Sequence, residues 1–508
     1  MNHHYDVVIV GAGSAGCALA ARLSENPDRS VLLLEAGSDL ADASESRSEL
    51  LDASAMVGAA AGHAANWAFN ARLTASKVMS VPRGKVMGGS STVNGGVFVR
   101  ATAGDFDAWA ELGNVEWSFA KVLPFLRRLE NDLDFPDGEF HGRGGPVPVS
   151  RAGTTQLHPL SQAFAAACSE LGFPDEPDKN SPGVPGFGPL PRNIVDGTRV
   201  NAALAYIVPN RHRANLTIHS GVSVRRVVMR GLRAIAVEVE RSGRDEIFHG
   251  SEIVLSAGAV MSPHLLLLSG LGPADHMRGH GIAVVADLPG VGTRGCDHPQ
   301  VFLGFEPHGP LPRRATAGVV EVGLDTTVDG APVAVLPYLA SMADLVPGSG
   351  ASAAELVLGV LLQRAAATVE VSLASGDPTG QARIDYHSLE SAIDRANLEA
   401  AVEIGTSIID SAAMRQLGLH RTSPAAGSDL AAWITENITT AVHLCSTAPM
   451  GPDTDPTAVV DQYCRVRGVE GLRVVDTSVL PTAPSRGPAA TAVLIGERAS
   501  EFFDGIES

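Results

Sequence analysis

Cysteine, lysine and long apolar runs are all scarce in this chain. Its 508 residues include five cysteines, Cys17, Cys168, Cys296, Cys445 and Cys464. So small and odd a set argues against a disulfide framework and points to a reducing compartment, with the cysteines expected as small buried residues. Lysine occurs only at Lys77, Lys85, Lys121 and Lys179, acidic residues outnumber basic ones 56 to 38, and the net charge is −18. Neutralising nucleic-acid phosphates needs clustered cations, so no nucleic-acid partner is expected. The apolar stretches at 265–268 and 356–362 fall well short of the roughly 20 residues that cross a bilayer, so no transmembrane segment is expected. The second stretch is compatible with a helix lying on a membrane surface, and would be the place for an acidic protein to dock. The N-terminal run enters an apolar strand with no basic segment and no small-residue cleavage site, so the expected location is cytoplasmic, with attachment to the inner membrane face left open.

What the chain does have is glycine and a regular alternation of strand-like and helix-like segments. Residues 5–10 predict a buried strand, 13–24 a helix and 30–34 a second strand, the opening of a parallel, doubly wound sheet. The Gly- and Pro-rich stretch 133–191 predicts loops around a helix at 159–171. Short β-rich runs at 216–219, 222–229, 234–240 and 253–255 predict a meander that returns to the sheet. From 302 to 440 the pattern is irregular, with strands expected at 318–324, 333–339 and 368–373 and a long helix at 389–414. The expected fold is α/β: a Rossmann-like cofactor-binding domain from 1–150, 196–300 and 441–508. Interleaved with it is an α+β substrate domain on an antiparallel sheet, from 151–195 and 301–440.

Gly11-Ala12-Gly13-Ser14-Ala15-Gly16 lies between the first strand and its helix. In that context Gly11 permits the tight turn, Gly13 lets backbone approach a pyrophosphate, and Gly16 packs helix on strand, with the diphosphate at the helix N-terminus. Glu35, followed by Ala36, ends the second strand, where a carboxylate accepts hydrogen bonds from ribose hydroxyls and disfavours a 2′-phosphate. NADP is therefore the weakest candidate, and FAD and NAD stay level at this point.

The segment Arg83-Gly84-Lys85-Val86-Met87-Gly88-Gly89-Ser90-Ser91-Thr92-Val93-Asn94-Gly95-Gly96 separates them, because it resembles the first signature of the glucose–methanol–choline (GMC) family of FAD-dependent oxidoreductases. Residues 258–272 resemble the second signature, and Pro289-Gly290-Val291-Gly292 with Asp297-His298 the next landmark. His443 to Gly451 and Val474 to Pro481 complete the set. The resemblance implies that Arg83, Gly88, Gly89, Ser90, Asn94, Gly95 and Val97 lie along the flavin, that the backbone of Val224 meets adenine, and that Asp476 and Pro488 also face the cofactor. Val93 stands where some relatives link flavin through a histidine, so non-covalent FAD is implied.

Oxidising an alcohol needs a base within hydrogen-bond reach of the hydroxyl, and the family's base matches His443. Pro488 is expected to open the last helix with Gly487 as its N-cap, the helix N-terminus favouring a reduced, anionic flavin. The family usually carries His or Asn where this chain has Gly487. The missing hydrogen bond must then come from a backbone N–H, from Ser485 or Arg486, or from the substrate. Arg486 is otherwise expected either to recognise an anionic or sugar-bearing substrate or to be a solvated surface residue. Metal is not expected, since neither the spacing of Cys445 and Cys464 nor the pair His276 and His280 makes a site.

Residues 94–100 together with 485–491 resemble the mycofactocin-associated branch of the family. That implies a reduced peptide-derived redox cofactor as donor and a respiratory-chain electron acceptor. The alternatives are an oxygen-reducing alcohol oxidase acting on choline or an aryl alcohol, and a flavin-containing lyase or decarboxylase, which the Gly487 departure keeps open.

Overall fold

Val7 to Val10 end strand β1 (His4–Val10), and all four are buried. A strand covered on both faces belongs inside a parallel sheet, and in the computed structural model β1 is central. The structure describes residues 4–40, 45–153, 157–309, 311, 318–346, 350 and 352–503; Met1 to His3 of the N-terminal run lie outside them. Helix α1 (Ser14–Leu23) returns the chain to β2 (Val31–Leu34), which runs parallel to β1. β3 (Leu216–His219) adds in parallel to the far side of β2. β4 (Val222–Arg230), β5 (Arg233–Arg241) and β6 (Arg244–Leu255) form an antiparallel meander.

β6 does two jobs. Its first half pairs with β5, and its second half, through Leu255, lies parallel to β1. The sequence suggested a strand only at 253–255, because Arg244, Asp245 and Glu246 face solvent and break the apolar pattern. The sheet order is β3-β2-β1-β6-β5-β4, with the short strand Leu472–Val474 added parallel to β6. Over it pack α1, α2 (Gly258–Leu268) and the C-terminal helix, whose Gly496 leaves no room for a methyl group against the Ala15 carbonyl, 2.2 Å away.

The second sheet is antiparallel. β7 (Pro299–Pro307), β8 (Val322–Val328), β9 (Ala331–Pro337), β10 (Leu356–Leu362) and β11 (Leu419–Ser423) run in the order β11-β7-β10-β9-β8, with Phe187–Pro189 beyond β8 and Thr439–Thr440 beside β7. Its outer face, Val301, Leu303, Phe305, Leu358, Val360 and Leu362, forms one core with α3 (Ala392–Ile409) and the helix Pro159–Glu170. A four-stranded sheet of Phe69–Arg72, Val78–Val81, Glu370–Leu373 and Ala382–Asp385 joins chain from both regions.

Two sequence expectations are corrected here. Leu356 to Leu362 is no membrane-surface helix: it is strand β10, flanked by β7 and β9 and buried from Val357 onward. Seven apolar residues cannot by periodicity alone distinguish a strand from a buried helix turn, and with the stretch inside the protein the proposed docking patch disappears. The helix expected over 389–414 is two helices. Leu389 has φ +65°, which bars it from a helix, and Ser411 starts a new helix, Ala412–Gln416, by accepting from the Met414 N–H. All five cysteines are free thiols, four of them buried and Cys296 partly exposed. No helix among the described residues is long and apolar enough to cross a membrane.

Candidate active site

The first glycine motif makes a cradle. α1 begins at Ser14 with no side-chain cap, so its first N–H groups point outward unpaired and its dipole favours an anion there. A methyl group on Gly13 would meet only the Ser256 carbonyl, at 3.9 Å, so space lies open in front of it; one on Gly16 would strike the Gly11 carbonyl at 2.0 Å, which is why the helix packs so closely on the turn. Gly89 closes the cradle from the second segment, where a Cβ would lie 2.8 Å from the Gly13 Cα. Ser90 follows at the start of a one-turn helix, Ser90–Val93, exposed toward the same space and accepting from the Gly84 N–H.

Glu35 is buried beside this cradle, accepting from the Ala12 N–H at 3.0 Å and the Gly37 N–H at 2.8 Å. Burial pushes its carboxyl up to about 7, with the Gly37 and Ala12 donors opposing. Ala36 beyond it stays partly exposed. Val224 sits where the ladder between β4 and β5 slips register, between Val224 and Arg226, and a bulge frees backbone from regular pairing. The Asp476 carboxylate accepts from the Gly258 N–H, the Ser262 hydroxyl and the Ser478 N–H, tying the end of the sheet to the start of α2. Asn94 accepts from the Gly96 N–H, Gly95 abuts Val319, and Val97 packs against the buried cluster of Leu190, Val319, Val320 and Leu345.

His443 lies where the two regions meet. Its backbone N–H donates to Asp297 Oδ1 at 2.8 Å, and the same oxygen accepts from the His298 N–H. Asp297 Oδ2 accepts from the hydroxyls of Tyr386 and Thr440, both at 2.8 Å. One buried carboxylate therefore fixes both histidines. Val442 has φ +64°, and its carbonyl accepts from Arg83 Nη1, while Arg83 Nη2 is buried without a partner among the described residues.

The ring of His443 is oriented by His298. The two Nδ1 atoms are 2.8 Å apart, and His298 Nε2 lies 3.0 Å from the Pro484 carbonyl. A carbonyl only accepts, so His298 carries its proton on Nε2 and offers a lone pair at Nδ1. His443 must then donate from its own Nδ1, leaving the lone pair on Nε2. Burial, followed by the repulsion that a protonated His298 would add and by the Arg83 guanidinium, holds the His443 imidazole well below the ordinary histidine range, and burial lowers His298 as well. Both rings are neutral, and His443 presents an unprotonated Nε2.

Gly487 borders that atom: a Cβ there would sit 3.4 Å from His443 Cε1 and 3.6 Å from Nε2. Neither neighbour replaces the missing side chain. Arg486 is buried, donating to the Lys179 carbonyl and paired with Glu176 at 2.5 Å, so it is neither a surface residue nor free for a substrate. Ser485 gives both its N–H and its hydroxyl to Asp105. Pro488 occupies the N-cap of α4 (Ala489–Ala499), one residue earlier than expected, and α4 too lacks a side-chain cap. The sequence marked Asp297-His298 as a landmark without a role; nothing local in the chain reveals that it meets His443.

His298 makes a sharp prediction. Replacing it with leucine removes the lone pair that accepts from the His443 Nδ1–H and stabilises the protonated ring, so the acid limb of the pH profile for flavin reduction should move to lower pH, with a slower rate on the plateau. A merely structural role for His298 would lower the rate and leave the limb in place; stopped-flow reduction across pH reads both.

Elsewhere, Glu130, Asp132 and His141 are near enough to share an ion. Arg100 lies 2.5 Å from Glu130 and Arg151 2.9 Å from Asp132, and His141, held among carboxylates, is raised to about 10. These carboxylates are neutralised by the protein's own cations.

Family models described as GMC oxidoreductase match residues 5–300 and 366–496. A GMC-type oxidoreductase described as uncharacterized, in the thcA 5′ region of Rhodococcus erythropolis, is 40% identical over 503 residues, covering 99% of each chain. An oxygen-dependent choline dehydrogenase of Photobacterium profundum is 33% identical, covering 99% of this chain and 94% of that one. Among solved structures, pyridoxine 4-oxidase from Mesorbium loti superposes with a TM-score of 0.91 at 28% identity over 99% of this chain and all of the other. A formate oxidase, at 24% identity and a TM-score of 0.89 over 99% and 98% of the two chains, shares the fold.

Proposed function

The chain belongs to the GMC oxidoreductase family and is an FAD-dependent oxidoreductase, and from that premise we propose that it oxidises an alcohol with His443 as the base. The observation that carries this is the orientation of His443: its Nε2 lone pair borders the Gly487 gap, and the Nδ1 proton is committed to His298.

The residues present suit FAD. The uncapped start of α1 and the open space before Gly13 and Gly89 suit a diphosphate, Glu35 the ribose, the bulge at Val224 the adenine, and Arg83 Nη2 and Thr491 Oγ1 are buried polar atoms without partners among the described residues. On this proposal Ser90, Asn94, Gly95 and Val97, together with Pro488 and the start of α4, would hold the isoalloxazine. The Val93 side chain is apolar and buried, which supports non-covalent binding. Bound FAD accepts hydride from the substrate carbon. The protein's share is the proton: His443 Nε2 takes it from the hydroxyl, and the resulting imidazolium is stabilised through Nδ1–H by the His298 lone pair. Asp297 holds the backbone of both histidines meanwhile. The uncapped N–H groups of α4 offer positive potential where negative charge gathers on reduction.

On this proposal 1–150, 196–300 and 441–508 hold the cofactor, and 151–195 and 301–440 shape the substrate pocket. The motif pair 94–100 and 485–491 supports, as the finer reading, reduced mycofactocin as donor and a respiratory acceptor; the names of the relatives favour small alcohols and oxygen. Anaerobic titration of the purified flavoprotein tests the core of the proposal. Bleaching of the flavin band by an alcohol supports it, and a band that no donor in a broad alcohol and redox-cofactor panel bleaches would overturn it. Millisecond reoxidation by air would exclude the respiratory reading.

A further inference from the structure

The second sheet turns polar groups toward His443 that the proton transfer does not use. Along β7 the side chains of Val301, Leu303 and Phe305 enter the outer core, so His298, Gln300 and Phe302 share the opposite face by strand alternation. Gln300 pairs across the ladder with Leu361 of β10, and continuing that register puts Gln363 opposite His298. Gly359 makes room for the cluster: a Cβ there would lie 2.7 Å from Gln300 Nε2, 3.1 Å from the Tyr338 ring and 3.5 Å from the Phe302 ring. The two aromatic rings meet edge to face, with centroids 5.7 Å apart.

Within this wall Gln300 is 3% exposed and Gln363 4% exposed. Gln300 Nε2 and Gln363 Oε1 have no hydrogen-bond partner among the described residues. Gln363 Oε1 is an unused acceptor, and the Gln300 amide, on the neighbouring strand and the face that carries His298, faces the Tyr338 hydroxyl without closing a hydrogen bond of ordinary geometry, so it too is left to donate to a ligand. Buried amide groups left unpaired are costly, and native proteins rarely leave them so without a ligand or an ordered water to fill the role. None of the residues 298, 300, 302, 338, 359, 361 and 363 is a carboxylate. The wall itself therefore offers no carboxylate to a fixed cation: Asp297 and Asp105, whose charges reach His298, are already engaged, Asp297 by the His298 and His443 N–H groups and the Tyr386 and Thr440 hydroxyls, Asp105 by Ser485 and Arg364, and the carboxylate of Glu355 lies over Gly304, farther along the strand, hydrogen-bonded to Thr422.

We propose that Gln300 and Gln363 are specificity-determining residues that select an uncharged alcohol bearing a second hydrogen-bonding group, one that accepts from Gln300 Nε2 and donates to Gln363 Oε1, over a quaternary ammonium alcohol. This rests on the alcohol-oxidising function proposed above.

Three alcohols of similar size separate the possibilities: 3-hydroxypropanamide, which carries both an acceptor and a donor; 3,3-dimethyl-1-butanol, which carries neither; and choline, its cationic counterpart. Each is titrated anaerobically into the FAD-loaded protein, and Kd is read from the perturbation of the flavin spectrum or from the saturation of its reduction. The amide is expected to bind about tenfold or more tightly than either of the others, the scale of one or two neutral hydrogen bonds. Gln300→Leu and, independently, Gln363→Leu should each shrink the amide-to-dimethylbutanol ratio several-fold, with FAD content and melting temperature reported for both. Choline binding best to the parent protein, equal affinities for the amide and dimethylbutanol, or an unchanged ratio in both variants would overturn the proposal; equal affinities would mean that water already satisfies the two glutamines. Tight amide binding without flavin reduction by any alcohol would count against the alcohol-oxidising function and leave the selectivity of the wall standing.

Discussion

Replacing His443 with alanine is expected to slow anaerobic flavin reduction by an alcohol about 10²- to 10⁴-fold, the usual worth of a positioned general base, while the protein still carries FAD. The retention of cofactor follows from what the residue does structurally. Its contact with the Asp297 carboxylate is made by the backbone N–H, which alanine keeps, and none of the contacts around the glycine cradle passes through the imidazole. The loss in rate follows from the tautomer: Nε2 carries the only lone pair that the histidine pair presents beside Gly487. Stopped-flow reduction with the flavin-to-protein ratio measured alongside is the test. An unchanged reduction rate would remove His443 from the chemistry, and loss of flavin would mean that the ring supports the cofactor site.

The same geometry explains how the chain tolerates glycine at 487. A side chain there would lie in ordinary contact with the edge of the His443 ring that bears Nε2, a position suited to a second donor to the substrate oxygen. Without it, orientation of the base comes from behind. His298 receives the Nδ1 proton, Pro484 fixes His298, and Asp297 holds both backbones. The space left at 487 lies next to Nε2, and on the proposal made above selectivity would rest on the wall of the second sheet.

How much of this was legible in the chain depended on distance along the sequence. The βαβ opening, the cradle glycines and Glu35 were readable because strand, turn and helix follow one another within the first 35 residues, each with its own period. The GMC motifs marked His443 in the same way. The pairing of His298 with His443 spans 145 residues and leaves no local trace, and the Asp297 hub gathers Thr440 and Tyr386 from two further segments. Arg486 was misjudged for a related reason: its partners Glu176 and Lys179 belong to the Gly- and Pro-rich excursion some 300 residues earlier. Leu356 to Leu362 failed differently, since a short apolar run buried on both faces has no periodicity to read.

Gly11→Ala should be among the most damaging single-methyl changes in the cofactor region, because it combines backbone strain with a collision. Gly11 has φ +103°, and an added Cβ would lie 2.4 Å from the Ser256 carbonyl oxygen and 2.9 Å from the Ala257 Cα. Those atoms cannot step aside: the Ser256 N–H donates to the Val10 carbonyl and its hydroxyl to the Val475 carbonyl at 2.7 Å, tying β1, β6 and the C-terminal strand together at one point. Backbone strain of this kind costs about 1–3 kcal/mol, and forcing extra volume into a packed site about 1–3 kcal/mol more. Displacing the turn also moves the first N–H groups of α1, so FAD should be lost along with stability. Gly243→Ala is the matching control. It lies in an exposed hairpin turn with φ +76° and nothing within 4 Å of the added methyl, so it isolates the strain from the collision and should keep its flavin. Melting temperature and bound flavin for the two variants decide the matter: a Gly11→Ala protein as stable and as flavin-rich as Gly243→Ala would mean that the close turn at Ser256 does not set the cofactor cradle.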